Sequence, residues 1–454
     1  MPGPQVTSRR DFLTQAAATA AGASLLGTGL LGTSAGRILA ADNSKRPRVA
    51  VLINTFYYSS HAHVILENFL VPYLFNGQVV QPQMDVVSFY VDQIHPNDMA
   101  RDVAKQFNIP IHATIAEALC TGGDKLTADA VLLIGEHGTY PTNAKGQVEY
   151  PRKQFFDQTV EVFKHSGKVA PIFCDKHLSY RWDWAKEMVD TSRAMKIPLM
   201  AGSSVPLAER RPPLELPAAC KISEAVSIHG GGLEGYDFHA LEVLESMVEA
   251  RQGGEAGGRD VQFLEGEPLW KAAEAGVWSS ELAAAAMAAE VGPDHELTKL
   301  IQSRGKSTTA EKTPIHAIVV HYRDGLRGVA MKVGNNGIRW NFACQLAGEQ
   351  QPRATSFYVG PWQNRNLFRA LSHAIQTFFR EHKSPYPVER TLLTSGILDA
   401  AMDSRLAGKQ IETPQLDIAY APQDFRAMRE MGATWKIITD AIPAPKGIEA
   451  VGIN

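Results

Sequence analysis

Residues 46 to 206 alternate between short apolar runs and longer segments of helical character, and this alternation restricts the fold more than any other feature of the chain. The apolar runs lie within 46–56, 84–92, 128–136, 169–173 and 197–201. Nearly continuous apolar runs are typical of strands buried on both faces of a parallel sheet, with helices as the crossovers. The sequence therefore predicts a Rossmann-like, doubly wound α/β domain whose ligand crevice lies at the carboxyl ends of the strands.

The second half of the chain has a different pattern. The stretch 315–346 contains short strands separated by Asp324-Gly325 and Asn336-Gly337, two pairs that favour hairpin turns. Two helices are predicted further on, near Asn366–His382 and Val388–Leu406. This order of elements predicts a separate α+β domain built on an antiparallel sheet.

The first 41 residues have the pattern of an export signal. "SRRDFL" (Ser8–Leu13) precedes an uncharged stretch that continues to Gly36 and a small-residue ending, "ILAAD". We therefore expect export by the twin-arginine route, with the translocation machinery as a partner and the periplasm or exterior as the destination. Because that route carries folded proteins, a cofactor could be loaded before export. The predicted organisation is a signal at 1–41, a Rossmann-like domain at 42–206 and a substrate and oligomerisation domain at 207–454.

The charge balance excludes some partners. The chain carries 45 Lys and Arg and 48 Asp and Glu, a net charge of -3, without long runs of one sign. This balance argues against nucleic acid as a partner and favours a small molecule. The four cysteines are widely spaced and contain no C-x-x-C pair, so we interpret them mostly as core residues.

Polar residues with catalytic potential stand where predicted strands end. They are Asp175, Lys176 and His177 after one run, Glu136 and His137 after another, His61 and His63 after the first, and His229, Asp237 and His239 in the second half. Because the carboxyl ends of parallel strands meet at one edge of a sheet, we expect these residues to converge on one crevice.

Three stretches resemble motifs of the Gfo/Idh/MocA family of oxidoreductases. "GKVAPIFCDKHLS" (Gly167–Ser179) is similar to the family's "GKHVLCEKPLA". "GGGLEGYDFHALE" (Gly230–Glu242) resembles the glycine-rich run and helix that carry a catalytic histidine, and the stretch Pro385–Pro414 resembles the family's closing helix. The resemblance implies a dinucleotide-binding domain, an open-faced, largely antiparallel sheet domain able to form homo-oligomers, and NAD(P)-dependent chemistry on a sugar or polyol.

The resemblance also implies roles for individual residues. Lys176 matches the lysine that contacts substrate and cofactor, and His239 matches the catalytic histidine. We expect Lys176, His239 and Asp237 to be catalytic, with His239 as a general acid and base. The residues expected to bind substrate are His177, Glu242 and Trp340, and those expected to line the nucleotide site are Asn54, Thr55, Asp92, Glu136 and Asp175.

The loop after the first strand departs from the family pattern. A dinucleotide fingerprint places glycines there, so that the backbone can approach the pyrophosphate. Here the loop is "NTFYYSSHAH" (Asn54–His63), which has no glycine and places Phe56, Tyr57 and Tyr58 where phosphate oxygens would lie. The sequence therefore predicts a degenerate dinucleotide loop.

Two other functions fit the same fold. In the first, His61, His63 and His137 hold a divalent metal for sugar hydrolysis or elimination, since H-x-H on an extended segment presents both rings on one face. In the second, the protein binds carbohydrate without catalysis and uses aromatic rings as stacking platforms. The rings considered for that role are Tyr140, Trp182, Trp184, Trp340 and Trp362.

Overall fold

Strands and helices alternate through the first half of the chain, and a second sheet follows. A computed structural model describes residues 46–306 and 315–450. The strands are β1 Arg48–Ile53, β2 Tyr73–Phe75, β3 Gln78–Val80, β4 Asp85–Val91, β5 Ile111–His112, β6 Ala130–Ile134, β7 Ile172–Asp175, β8 Leu199–Gly202, β9 Glu209–Arg211, β10 Ile222–His229, β11 Gly258–Glu265, β12 Ile315–Tyr322, β13 Arg327–Val333, β14 Trp340–Leu346, β15 Arg353–Tyr358 and β16 Ile411–Glu412. The helices are α1 His61–Leu70, α2 Ala100–Phe107, α3 Ile115–Cys120, α4 Arg152–Ser166, α5 Trp182–Met195, α6 Gly235–Val248, α7 Gly266–Glu274, α8 Ser280–Val291, α9 Glu296–Gln302, α10 Asn364–Glu381 and α11 Val388–Ala407.

The first sheet has the order β5-β4-β1-β6-β7-β8, and all its strands are parallel. Val49 and Val51 of β1 pack on the side of α1 and α10, whereas Ala50 and Leu52 pack on the side of α3, α4 and α5. Both sets of alternating residues are therefore buried, which explains the continuous apolar runs of the sequence. The predicted Rossmann-like doubly wound sheet is confirmed, and its order reverses between β1 and β6.

The second sheet has the order β16-β11-β12-β13-β10-β14-β15-β9. Its neighbouring strands are antiparallel except for the parallel pair β10 and β13, so the largely antiparallel sheet is confirmed. Asp324-Gly325 joins β12 and β13 as a hairpin, as predicted. The hairpin predicted at Asn336-Gly337 is wrong, because β10 lies between the two strands that this turn connects.

Both faces of the second sheet are covered. Ile318 and Val320 of β12 belong to the core shared with α6 and α11, whereas Val319 and Val329 pack with Trp278 and the apolar side of α8 on the opposite face. The two-domain fold class is confirmed, but the open face implied by the resemblance is filled by α7, α8 and α9. The physical reason is that these strands carry apolar side chains on both faces of the sheet, and both faces must be shielded from water.

The last part of the chain returns to the first sheet. Arg365 of α10 pairs with Glu67 of α1, with 2.7 Å between Nη2 and Oε2, and donates a hydrogen bond of 2.7 Å to the carbonyl of Gly447. The side-chain amide of Asn76 donates to the carbonyl of Arg429 at 2.8 Å. The helix layer on this side of the first sheet is thus assembled from both ends of the chain.

Two buried histidines of this layer make stability depend on pH. Burial, followed by the charge of Arg365, lowers the pKa of His63 to about 3, and burial with Arg380 lowers that of His373 to about 4. Below about pH 6.5 the unfolded chain binds protons that these folded residues do not, so stability falls as the pH falls towards 4.

His373→Phe should reduce the pH dependence of the free energy of unfolding, measured in urea between about pH 4 and 6.5, by about 1.4 kcal/mol per pH unit. A slope unchanged by His373→Phe, or flattened equally by replacing exposed His165 with Asn, would contradict the assignment.

The remaining sequence predictions for the fold are mixed. The late helices, α10 and α11, are confirmed within two residues of the predicted bounds. The predicted export signal at 1–41 lies outside the described residues, and the domain boundary at residue 206 stays a prediction. Within residues 46–306 and 315–450, the helices lack the length and apolar character needed to cross a membrane.

Candidate functional site

The site lies at the carboxyl edge of the first sheet, where the order reverses between β1 and β6. Asn54 and Thr55, which directly follow β1, are buried, and the Asn54 amide donates to the carbonyl of His137 at 3.3 Å. Asp92, which follows β4, accepts hydrogen bonds from the Tyr90 and Tyr140 hydroxyls at 2.7 Å each. Asn54 and Asp92, two of the residues expected in a nucleotide site, therefore bond to the protein itself, and Thr55 is buried.

His61 and Asp175 form a hydrogen-bonded dyad. Nδ1 of His61, the first residue of α1, lies 2.6 Å from Oδ2 of Asp175, the last residue of β7. Because an ionised carboxylate only accepts hydrogen bonds, this contact assigns the proton to Nδ1 and leaves Nε2 as the basic nitrogen. The His61 ring also meets His137 nearly edge-on, with 5.0 Å between ring centroids. The dyad is thus a base with a fixed orientation.

Lys176 belongs to a buried charge network. Its Nζ lies 3.1 Å from Oε1 of Glu136, whose Oε2 lies 2.5 Å from Nη2 of Arg152. Burial acts to raise the pKa of Glu136, but the charges of Lys176 and Arg152 hold it well below its ordinary value. A methyl group added at Gly235 would lie 3.6 Å from Nζ, so α6 begins beside this amine. Glu136 is therefore ionised at neutral pH and holds the ammonium group in place.

His239 adds a second imidazole from α6. Its Nδ1 lies 2.6 Å from Oγ of Ser203, and this Oγ accepts the backbone N–H of Val205 at 3.0 Å. The Ser203 hydroxyl proton is thus free to point at Nδ1, which assigns the ring proton of neutral His239 to Nε2. Burial, followed by the charges of Lys176 and His61, holds the pKa of His239 well below its ordinary value. His239 is neutral at pH 7 and presents an N–H donor.

Three residues of the crevice have strained backbones. The φ angles are +68° at Lys176, +67° at His137 and +65° at Glu234, in the left-handed region that side chains with a Cβ rarely adopt. Burial and the charge of His61 also lower the pKa of His137 to about 4. Strain of this kind persists where the surrounding structure enforces it, and it concentrates at functional sites.

His177 lies behind Lys176 and faces the charge network. Its Nε2 lies 3.0 Å from Nη1 of Arg152 and 3.1 Å from Oε1 of Glu234, and the residue is 1% exposed. Burial, followed by the charge of Arg152, lowers the pKa of His177. In this position His177 fixes neighbouring side chains, and its predicted contact with substrate stays a prediction.

Glu242 is also buried away from the crevice. Its carboxylate accepts hydrogen bonds from the hydroxyls of Thr391 at 3.0 Å and Thr394 at 2.8 Å, and from the backbone N–H of Ser203 at 3.4 Å. Burial raises its pKa. Glu242 therefore ties α6 to α11 and to the end of β8, which positions His239.

Asp237 secures the start of α6. Its Oδ1 accepts Nε2–H of His229 at 2.9 Å and of His316 at 2.7 Å, and its Oδ2 accepts the N–H of Glu234 at 2.7 Å. Nδ1 of His229 receives the Gly231 N–H at 3.3 Å, which assigns the ring proton to Nε2. The predicted catalytic role of Asp237 has no direct contact to support it, and the carboxylate acts here as a positioning group.

Trp340 lines the crevice beside His239. Its ring stacks on Tyr236, with centroids 5.2 Å apart and planes inclined by 8°, and meets His239 nearly edge-on at 5.3 Å. The side chain is 4% exposed, so it forms a wall of the site. An exposed stacking platform for carbohydrate is not what this geometry provides.

The metal site predicted at His61, His63 and His137 is not assembled. His61 begins α1, so residues two apart point in different directions, whereas the prediction assumed an extended segment. Nδ1 of His63 accepts the N–H of Ser59 at 3.0 Å, and its ring packs against Tyr58. Within the described residues, the group with metal-ligand spacing is that of His229, Asp237 and His316, where the imidazole protons point at the carboxylate.

Sequence reasoning missed three residues of the site, namely Arg152, Ser203 and Glu234. Ser203 directly follows β8, so the rule that identified Asp175 and Lys176 would also have found it. Arg152 opens α4 after a long loop and carries no local signal of its partner Glu136. Glu234 precedes α6, and only its contact with His177 connects it to the site.

Comparisons with known proteins identify the architecture. No protein-family model matches the chain, and no curated protein matches it in sequence. The structure of GenD2 from gentamicin A biosynthesis, in complex with NAD, is 12% identical, covers 85% of this chain and 99% of its own, and gives a TM-score of 0.51. A probable dehydrogenase from Thermotoga maritima is 11% identical, with 81% and 99% covered and a TM-score of 0.47. A putative myo-inositol dehydrogenase from Sinorhizobium meliloti is 12% identical, with 81% and 99% covered and a TM-score of 0.45. At such identity, the likeness to GenD2 shows a shared two-domain fold.

Proposed function

We propose that the protein is an enzyme that moves protons on a small hydroxylated substrate, a sugar or a polyol, at the carboxyl ends of β1, β6 and β7. The observation that carries this proposal is the pair of imidazoles, His61 and His239, held in opposite tautomers close to Lys176. One ring offers a basic nitrogen and the other an N–H donor. A general base and a donor of this kind are the two groups that proton transfer on the substrate requires.

Each residue of this set has a separate role. Nε2 of His61 accepts a proton from the substrate, and Asp175 stabilises the imidazolium that forms. The ammonium group of Lys176 stabilises negative charge that develops on a substrate oxygen, and the Nε2–H of His239 donates to the same oxygen or its neighbour. Glu136 keeps Lys176 oriented towards the crevice.

The substrate class follows from the polar lining and from the motifs that resemble sugar and polyol oxidoreductases. Hydroxyl groups both donate and accept hydrogen bonds, so a polyhydroxylated molecule can bond to the acceptor nitrogen of His61 and to the donors of Lys176 and His239 at the same time. Trp340 supplies an apolar wall for the ring or carbon chain of such a molecule.

NAD(P)-dependent oxidation of a sugar or polyol is the second candidate for the same crevice. The motif resemblance favours it, and GenD2, which has the same fold, was solved with NAD. In this candidate the proton-moving residues are unchanged, and a nicotinamide nucleotide loaded before export supplies the redox chemistry. The two candidates therefore differ in their need for a nucleotide.

Hydrogen exchange in D₂O tests the proposed function. We expect the protein, without added cofactor, to exchange a carbon-bound hydrogen or convert at least one compound in a panel of aldoses, ketoses, uronic acids and inositols, followed by NMR. Lys176→Ala should slow this reaction by about 10²–10³-fold, since it removes the charge facing the developing oxyanion. Lys186→Ala, at an exposed lysine paired with Asp190, is the matched control and should leave the rate unchanged. Equal rates for Lys176→Ala and the wild type, or no reaction across the panel, would refute the proposal.

A further inference from the structure

The loops after β4 and β6 are bonded to each other across the end of β1. The Gln93 side chain accepts the N–H of Thr139 at 2.8 Å and donates to the carbonyl of Thr139 at 3.0 Å. Beside this pair, the Tyr140 hydroxyl donates to Asp92 at 2.7 Å. In a doubly wound sheet a dinucleotide occupies the crevice between the loops at the switch point. Here three hydrogen bonds hold that crevice closed.

The ring of Tyr57 lies within the same bridge. It stacks on His95, which follows β4, with 4.1 Å between ring centroids, and it meets His137, which follows β6, at 5.5 Å. Phe56, the preceding residue, is fully buried and packs edge-on against Phe89. Aromatic side chains therefore occupy the region above β1 where a glycine loop would let a pyrophosphate approach the backbone.

The N–H groups of Tyr57, Ser59 and Ser60, which lead into α1, and that of His63 in its first turn also have acceptors within the protein. The N–H groups of Tyr57 and His63 donate to Oγ of Ser60 at 3.1 and 3.3 Å. The N–H of Ser59 donates to Nδ1 of His63 at 3.0 Å, and that of Ser60 donates to the carbonyl of Tyr57 at 3.0 Å. A helix start binds phosphate through N–H groups that are free to face the anion. This helix start is capped by its own side chains.

The carboxylate that could bind a ribose already bonds to two tyrosines. Asp92 stands at the end of β4, and its two oxygens accept the hydroxyls of Tyr90 and Tyr140. A ribose diol would have to share these oxygens with the two tyrosine hydroxyls, of which Tyr140 belongs to the bridge. The aromatic loop, the Ser60 cap and the tyrosines on Asp92 thus each weigh against a dinucleotide site.

We infer that the bridge formed by Tyr57, Asp92, Gln93, Thr139 and Tyr140 has replaced the nucleotide site, and that the crevice works without NAD(P). This inference rests on the proposed function, which assigns the catalytic residues. It deepens that proposal by choosing the candidate that needs no nucleotide. The substrate is then bound by the residues of the proposed function alone, with Lys176, His61 and His239 as the groups that act on it.

The chemistry that remains is redox-neutral. The substrate then carries a carbonyl, and a proton that His61 takes from the carbon beside it leaves its electron pair on the carbonyl oxygen as an enediolate, or the pair goes on to expel the hydroxyl group at the β position. The imidazolium returns the proton to the neighbouring carbon of the enediolate or to the departing hydroxyl, which leaves as water, so the substrate as a whole gains and loses no electrons. Isomerisation between an aldose and a ketose and elimination of water both fit this balance.

The experiment measures nucleotide directly and independently of turnover. The full-length chain is purified from the cytoplasm of an expression host and denatured, and released NAD(H) and NADP(H) are quantified by mass spectrometry. Fresh protein is then titrated with NADH and NADPH by calorimetry, with an NAD-binding dehydrogenase of the same fold as the positive control. We expect no stoichiometric nucleotide and no saturable binding tighter than about 1 mM.

The outcomes separate this inference from the proposed function. Stoichiometric NAD(P), or binding tighter than about 1 mM, overturns the inference and leaves the assignment of His61 and Lys176 intact. Absence of nucleotide together with exchange in D₂O supports both. Absence of nucleotide without exchange supports the inference and refutes the proposed function.

The variant Tyr57→Gly/Tyr140→Phe gives a further readout, because opening the bridge should strengthen NADH binding about tenfold or more if the bridge is the barrier. Equal binding by this variant, folded by circular dichroism, would count against the inference.

Discussion

Asp175→Asn is expected to lower the exchange rate in D₂O by about 10²–10⁴-fold while the fold is retained. Asparagine has nearly the size of aspartate, so the buried position keeps its packing. Its amide can donate to Nδ1 of His61, which would move the ring proton to Nε2 and remove the basic nitrogen from the crevice. Initial rates measured by NMR, with circular dichroism as a check on folding, give the effect.

A second histidine and aspartate pair provides the matched control. His321 and Asp260 lie 2.5 Å apart, on β12 and β11, away from the crevice. Asp260→Asn should leave the exchange rate unchanged. His61→Ala combined with Asp175→Asn should be no slower than His61→Ala alone, because the two residues act as one unit. Additive losses, or a normal rate in Asp175→Asn, would show that the dyad is not the base.

Arg390→Met is expected to lower the free energy of unfolding by about 3–5 kcal/mol. Arg390 of α11 is fully buried and binds both carboxylate oxygens of Glu249, at 2.9 Å from Nε and 2.5 Å from Nη2. Tyr420 donates to the same carboxylate at 3.0 Å, and the guanidinium lies over the Tyr386 ring at 4.6 Å. Removing the cation leaves a buried carboxylate without its charged partner, which is the costly half of a broken ion pair.

Urea unfolding of three variants tests this energy. Arg390→Met/Glu249→Met should recover more than half of the loss, because no uncompensated charge remains. Arg353→Met removes an exposed arginine that pairs with Glu349, and it should give the wild-type midpoint. A midpoint for Arg390→Met equal to that of the wild type would show that the pair does not hold α11 in place.

The fold could largely be predicted from the sequence, because the burial of a strand or helix determines the spacing of its apolar residues. The continuous apolar runs identified the parallel strands, and the rule that sites form at carboxyl ends of strands brought Glu136, Asp175 and Lys176 to one edge. The hairpin at Asn336-Gly337 failed because a turn signal describes only its own residues, and the insertion of β10 between two strands is decided by long-range pairing.

The site was less accessible, since its chemistry depends on contacts between distant residues. His61 and His63 look equivalent in the sequence, yet α1 begins at His61, and that boundary directs one ring to Asp175 and the other into the protein. The donor role of His239 depends on Ser203 and Val205, which no local pattern connects to it. Hydrogen-bond partners and tautomers are set by the tertiary structure, so sequence motifs can name residues without assigning their protons.

The return of the last residues to the first sheet fixes when the protein can finish folding during synthesis. Glu67 leaves the ribosome almost 300 residues before its cation, Arg365, and the Gly447 carbonyl that completes the cluster follows Arg365. At about 5–20 residues per second, tens of seconds separate the synthesis of Glu67 from that of Arg365, so this acid cannot be buried in its native pair before then. The native packing of α1 therefore forms only after α10 has been synthesised.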